Sequence, residues 1–226
     1  MNPGLTIAVI CTISGLLMLD KYSIGEFGIS QPLVASALIG FAAGDFHSGV
    51  ILGLLLQPVW LIELPIGRRI PLDAQAAGIS GAVTFFSLRV LSNTGFEVAA
   101  IAAILVAAGA SLWGGLLDHL ARRINGVLAR KMETVRYRRH LVFIHVAALE
   151  VAFIRGVVLA LAAFGLSLVA IPVIRYIPFV PLDRLLAATV SIGLAGGLFL
   201  LGFKKQVIPW LVGFAAWIVV WVLVRF

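Results

Sequence analysis

Long apolar runs with almost no charge inside them dominate this chain, and they decide what it can fold into. The runs are Leu5–Leu19, Pro32–Gly44, Ser48–Ile62, Ala74–Leu88, Val98–Leu117, Leu141–Ile171, Leu185–Phe203 and Val207–Val224. Only 12% of the 226 residues are charged, about half the share of a soluble domain. Apolar residues make up 62%, and the mean hydropathy is +1.11. A water-soluble fold needs enough polar residues to cover its surface. A soluble enzyme, a disordered regulator and a secreted disulfide scaffold are therefore excluded. Cys11 stands alone and can form no internal disulfide. A lone thiol in an apolar run reads as a small core residue. What remains is an all-α integral membrane protein with about seven or eight hydrophobic segments.

A helix needs about 20 residues to cross the hydrocarbon core. Most of the runs approach that length, whereas Pro32–Gly44 falls short. Together with Ser48–Ile62 it is expected to form a re-entrant or broken-helix hairpin turning at Gly44-Asp45-Phe46-His47, or two tilted helices with a tight turn. A transmembrane β-barrel is disfavoured, because its strands would alternate polar and apolar residues and these runs are apolar on every face. No Lys or Arg precedes Leu5, as the n-region of a signal peptide would require, so the first run is expected to be retained as a span.

Positive charge concentrates between Arg122 and Arg139, where seven of the 17 basic residues are opposed only by Glu133. Such segments stay cytoplasmic. With this one inside, Lys21, Arg68, Arg69, Lys204 and Lys205 also fall inside, while Arg175, Arg184 and Arg225 fall outside. Three regions are expected: a membrane region over 1–120, a basic cytoplasmic loop over 121–140 and a second membrane region over 141–226. The loop serves as an orientation signal and a contact for anionic lipid, or as a docking surface for a soluble partner. Nucleic-acid binding is not expected, since Tyr137 is the segment's only aromatic residue.

Ionisable residues in membrane runs are costly and mark sites by default. Asp20, Glu26, Asp45, Glu63 and Asp73 lie near run ends, with Gln31, Gln57 and Gln75 among them. Gly and Pro recur beside them and break helices. Carboxylates and amides around broken helices suit the hydroxyls of a neutral polar solute, and equally a cation. No phosphate loop, paired-cysteine metal motif or HExxH is present, and the four histidines are too scattered for a metal site. Glu150 and Arg155, five apart, are expected to pair with each other or with a neighbouring helix. Asp118 and His119 are read as an interface pair. Trp60 is assigned to an interfacial aromatic belt or to stacking on a sugar; Trp113, Trp210, Trp217 and Trp221 are assigned to lipid or subunit contacts.

Several motifs follow one another in register. They are Leu19-Asp20, Ser30-Gln31-Pro32-Leu33-Val34, Gly44-Asp45-Phe46-His47-Ser48-Gly49, Leu56-Gln57-Pro58-Val59-Trp60, Pro65-Ile66-Gly67 and Pro71-Leu72-Asp73. This series resembles the enzyme IIC subunit of mannose-family sugar phosphotransferase systems (the mannose, sorbose and N-acetylgalactosamine group). There the pattern runs LD, RPLV, GD-x-x-TG, G-x-x-LE-x-x-W-x-G, then a Gly ahead of P-x-D. The strong match covers residues 15–80, and a weaker one covers Phe143-Ile144-His145-Val146 and the C-terminal half.

The resemblance implies a permease subunit in the bacterial cytoplasmic (inner) membrane, multi-pass, working in an oligomeric complex with an enzyme IID membrane subunit. Soluble enzyme IIB, charged by enzyme IIA, would phosphorylate the sugar. The IIC subunit would bind and move the sugar without catalysing phosphoryl transfer, with no cofactor and no metal. The alternatives are a divergent homologue with a ligand-sensing or regulatory role, and a stand-alone secondary transporter or channel. The residues expected nearest the solute are Gln31, Asp45, Gln57 and Asp73, supported by Asp20 and Gly67. Asp45 and Asp73 have a second reading as helix caps.

Two departures from the family pattern stand out. Gln31 occupies the usual Arg position and Gln57 the usual Glu position. If the usual Arg and Glu interact, losing both leaves no unpaired buried charge, and two glutamines can keep a hydrogen bond. Arg68 and Arg69 follow Gly67 where small residues are usual, and are read as anchors of a cytoplasmic turn.

Overall fold

The computed structural model describes residues 3–20, 25, 27–60, 72–132 and 138–200, and all regular structure among them is helical. Gly67 with Arg68 and Arg69, and the run Val207–Val224, lie outside the described residues. The helices are α1 (Pro3–Met18), α2 (Pro32–Ala43), α3 (Phe46–Trp60), α4 (Ala74–Ser92), α5 (Phe96–Met132), α6 (Arg138–Ile174) and α7 (Leu182–Leu200). Each of the first seven apolar runs becomes one helix. The physical reason is that lipid offers no hydrogen-bond partner, so a spanning backbone must satisfy its own groups.

Helices α2 and α3 pack against each other as a hairpin. At 1.5 Å per residue, their 12 and 15 residues reach about 18 and 22 Å, short of a core about 30 Å thick. Pro32 sits in the first turn of α2, where its missing N–H costs nothing. The turn is made by Gly44 at φ 83°, a left-handed conformation that favours glycine. The N–H of Asp45 then returns to the Gly40 carbonyl at 2.9 Å. The Asp45 carboxylate accepts the Ser48 N–H at 3.0 Å and caps α3. The two backbones touch near Gly49, where an added Cβ would lie 2.6 Å from the Ser36 carbonyl oxygen.

Helix α4 is the centre of the molecule. It packs on α5, α6 and α2, and every residue from Ala74 to Phe86 is buried. Most of them are small (Ala, Gly, Ser), with Phe85 and Phe86 at one end, and Phe85 meets Phe86 and Phe96 edge-on. Helix α6 also packs against α1, so the expected N- and C-terminal membrane regions interlock.

Two expectations need correction. The basic segment 121–140 is not mainly a loop: α5 runs on to Met132 and α6 starts at Arg138. Its Ala, Leu, Arg and Lys are strong helix formers, and the apolar spans they continue nucleate the helix for them. Trp60 belongs neither to an exposed belt nor to an open stacking surface, being 5% exposed in the core.

Candidate functional site

Two polar clusters lie in the otherwise apolar interior. The first forms at the base of the α2–α3 hairpin. Gln31 precedes α2 and offers it no side-chain cap. Gln57 does so from α3, its Oε1 accepting the Leu33 N–H at 3.0 Å. The other end of the same amide donates to Gln31 Oε1 at 3.2 Å. The two glutamines are thus directly joined, as two amides replacing an interacting charge pair would be.

Asp20, at the end of α1, organises the approach to α2. Its buried carboxylate accepts the Phe27 N–H, the Ser30 N–H and the Ser30 hydroxyl, each at about 3 Å. Gln75, buried on α4, donates its side-chain N–H to Ser30 Oγ. Ser30 therefore connects Asp20 and Gln75, one residue ahead of Gln31. Both Gln31 and Gln57 are half-buried, whereas the groups behind them are sealed. Paired amides present donors and acceptors with no net charge, which suits hydroxyl groups.

The second cluster is ionic. Asp73 caps α4, its Oδ1 accepting the N–H groups of Gln75 and Ala76 at 3.1 and 3.3 Å. Its Oδ2 takes a charge-assisted bond from Arg155 of α6. The same guanidinium reaches Asp118 of α5 at 3.4 Å and the Gly114 carbonyl at 2.7 Å. Arg122 closes the cluster on Asp118 at 2.9 Å. Asp118 is buried and its neighbour His119 is exposed, so the expected Asp118–His119 interface pair is replaced by this cluster. Glu150 is exposed, and Arg155 pairs with neighbouring helices instead.

The structure brings Gln31, Gln57 and Asp20 together around Ser30. It sets Asp73 beside Arg155, two residues before Gln75. Asp45 lies at the opposite end of α2 from Gln31, with the roughly 18 Å length of that helix between them. There Arg89 lies 4.0 Å from Asp45 and 3.4 Å from Ser48 Oγ. Sequence reasoning missed Ser30 as a member of the polar interior, and it expected Arg155 to pair with Glu150 or a neighbouring helix without naming Asp73. The available signal was a single Arg inside a long apolar run.

Two concavities among the described residues are apolar. One, about 670 Å³, lies between α5 and α6 and is lined by Trp113, Leu117, Val158 and Leu166, with Ser80 its only polar side chain. Another, about 350 Å³, lies between α1 and α2 beside Asp20, whose oxygens are already bonded inward. Neither has the convergent polar groups of a sugar site. Among the described residues no group of three or more His, Cys, Asp or Glu could hold a metal ion.

A short helical hairpin against a bundle of spanning helices, with a polar cluster at its base, defines a multi-pass membrane permease fold. The family model described as "PTS system sorbose-specific iic component" matches residues 5–224. The chain belongs to that family and is a mannose-family IIC permease domain of the phosphotransferase system. A solved structure described as "Structure of membrane protein" shares the fold at a TM-score of 0.66 and 24% identity, covering 91% of this chain and 81% of that one. The mannose transporter ManYZ, solved with microcin E492 (MceA), shares it at a TM-score of 0.55 and 23% identity, covering 89% and 78%. No curated protein matches the chain.

Proposed function

We propose that this chain binds and translocates a sugar for a phosphoenolpyruvate-dependent phosphotransferase system, with the hairpin base as the sugar site. The observation that carries the reading is Gln57, which caps α2 with one end of its amide and holds Gln31 with the other. Sugar hydroxyls can exchange for such neutral hydrogen bonds without stranding a charge in lipid. The family pattern supports Gln31, Gln57, Asp73 and Asp45 as nearest the solute, with Asp20 and Gly67 supporting them. Asp45 takes part from the hairpin tip.

The chain supplies no phosphoryl-transfer chemistry in this reading. A partner IIB protein, charged by IIA, phosphorylates the sugar at the cytoplasmic face, and the charged product cannot recross the bilayer. A IID membrane subunit completes the translocating complex in the bacterial inner membrane. The regions 1–120 and 141–226 form its membrane body. The basic segment 121–140 contacts anionic lipid or soluble partners on the cytoplasmic side.

The test is uptake of labelled mannose and sorbose in cells carrying the chain with IID, IIB and IIA partners. Accumulation as the sugar phosphate that stops without phosphoenolpyruvate supports the reading. Uptake that continues without the soluble phosphotransfer proteins favours a stand-alone transporter. A Gln57→Ala variant that inserts normally and keeps full uptake removes the hairpin base from the site.

A further inference from the structure

We propose that Arg155 is a positioning residue for the sugar site, acting on the Ser30–Gln31 segment through Asp73 and Gln75. The proposal rests on the sugar-site reading above.

Arg155 lies within the apolar span of α6, with its side chain 12% exposed. A cation at that depth is costly unless paired, and this one meets two carboxylates and a carbonyl. Its Nε is buried and has no partner among the described residues. Only the two terminal nitrogens of the guanidinium are therefore engaged, both towards the start of α4 and the adjoining stretch of α5.

The connection to the site can be followed bond by bond. Asp73 uses one oxygen for Arg155 and the other for the first turn of α4. Its own N–H donates to the Ser111 carbonyl of α5 at 3.0 Å. Gln75, in the turn so capped, donates to Ser30 Oγ, and Ser30 donates to Asp20. Gln31 follows Ser30 and receives Gln57. Arg155 thus fixes where the start of α4 sits, and Gln75 transmits that position to the loop before α2. A charged fork serves here because it can hold a capping carboxylate while also engaging α5.

Asp118 provides an internal comparison. It meets the same guanidinium from the other side but has no bond to the capped turn. A merely structural cluster would respond alike to loss of either carboxylate. Positioning through Asp73 would not.

The experiment uses the full chain in lipid nanodiscs, with variants Arg155→Gln, Arg155→Lys, Asp73→Asn and Asp118→Asn. Asparagine still caps a helix, so Asp73→Asn removes mainly the charged link. Amide hydrogen exchange over residues 27–35 is read alongside equilibrium binding of labelled mannose and sorbose.

The expected result is exchange at least tenfold faster over 27–35 in Arg155→Gln and Asp73→Asn, a smaller change in Arg155→Lys, and none beyond twofold in Asp118→Asn. Whichever sugar binds the unaltered chain should lose at least tenfold in affinity in the first two variants. Unchanged exchange in Asp73→Asn overturns the proposal, as does an equal change in Asp118→Asn. Should Arg155→Gln fail to insert, the contrast between the two aspartate variants still decides. Faster exchange with unaltered sugar affinity upholds the positioning and discards the sugar-site reading.

Discussion

The two polar clusters solve the same problem in opposite ways. At the hairpin base, two half-buried glutamines face each other without charge. Two residues before Gln75, Asp73 pairs with Arg155, which also meets Asp118, each side chain no more than 12% exposed. Between these two clusters, the charges lie where helices seal them and the more open position is neutral. The physical reason is desolvation. A sealed ion pair pays it once on folding and recovers much through mutual attraction and hydrogen bonds. A binding position must open and close, and an ion there would be stranded whenever its partner left.

That contrast can be broken most severely at Arg155. Replacing it by Ala leaves Asp73 buried and without its counter-charge and Asp118 with Arg122 as its remaining partner, and is expected to cost about 3–5 kcal/mol. Thermal unfolding of the purified chain in detergent measures it. A melting temperature close to that of the unaltered chain would show that water reaches the cluster and that it is not sealed.

The hairpin comes next. At Gly49 an added methyl group would meet the Ser36 carbonyl oxygen at 2.6 Å and the Gly40 Cα at 3.1 Å. Gly49→Ala should force the helices apart at a cost of about 1–3 kcal/mol. The same separation is expected to lower sugar affinity, because Gln57 then loses its reach to Gln31 and Leu33. Stability that falls while affinity holds would uncouple the hairpin from the site.

Gln57→Ala sharpens the comparison from the neutral side. It removes two hydrogen bonds at a half-buried position, so the stability loss is expected near 1–2 kcal/mol. Uptake should drop by tenfold or more. A variant that unfolds as readily as Arg155→Ala would place Gln57 among the structural residues instead.

The smallest effect tests whether charge can be restored. A cycle of Gln31→Arg, Gln57→Glu and the double variant is expected to show a coupling of at least 0.5 kcal/mol. Strictly additive changes in melting temperature and uptake would sink the pairing of these positions.

Much of the fold was legible. Seven of the apolar runs appear as helices, the turn falls at Gly44, and Asp45 caps the helix that follows. These are local matters of run length, left-handed glycine and capping geometry. The contact between Gln31 and Gln57 was also legible, since their joint departure from the family pattern implied a pair. Arg155 was visible as an anomaly, but its partner Asp73 lies 82 residues away in sequence. Nothing in either neighbourhood names the other. Ser30 was hidden for the same reason: a serine in a loop carries no signal until Asp20 and Gln75 converge on it. Trp60 misled because an aromatic near a span end fits the membrane interface as well as it fits a core.

The sequence alone determined that the chain is a multi-pass membrane protein and where along it the apolar cores of seven helices lie, but not how far α5 and α6 run beyond those cores. Those follow from the cost of exposing peptide groups and charges to hydrocarbon, paid residue by residue along the chain. Only the tertiary structure decided which helices are inside. Of the three long apolar spans among the described residues, Ala74–Ser92 is the least hydropathic, yet 78% of it is buried. His145–Ile174 is the most hydropathic, and 28% of it is buried. In water that order would be reversed. In lipid, apolar surface gains nothing from hiding, so close packing of small residues sorts the helices. The Ala- and Gly-rich α4 takes the centre, and its capped end sets Gln75 against Ser30.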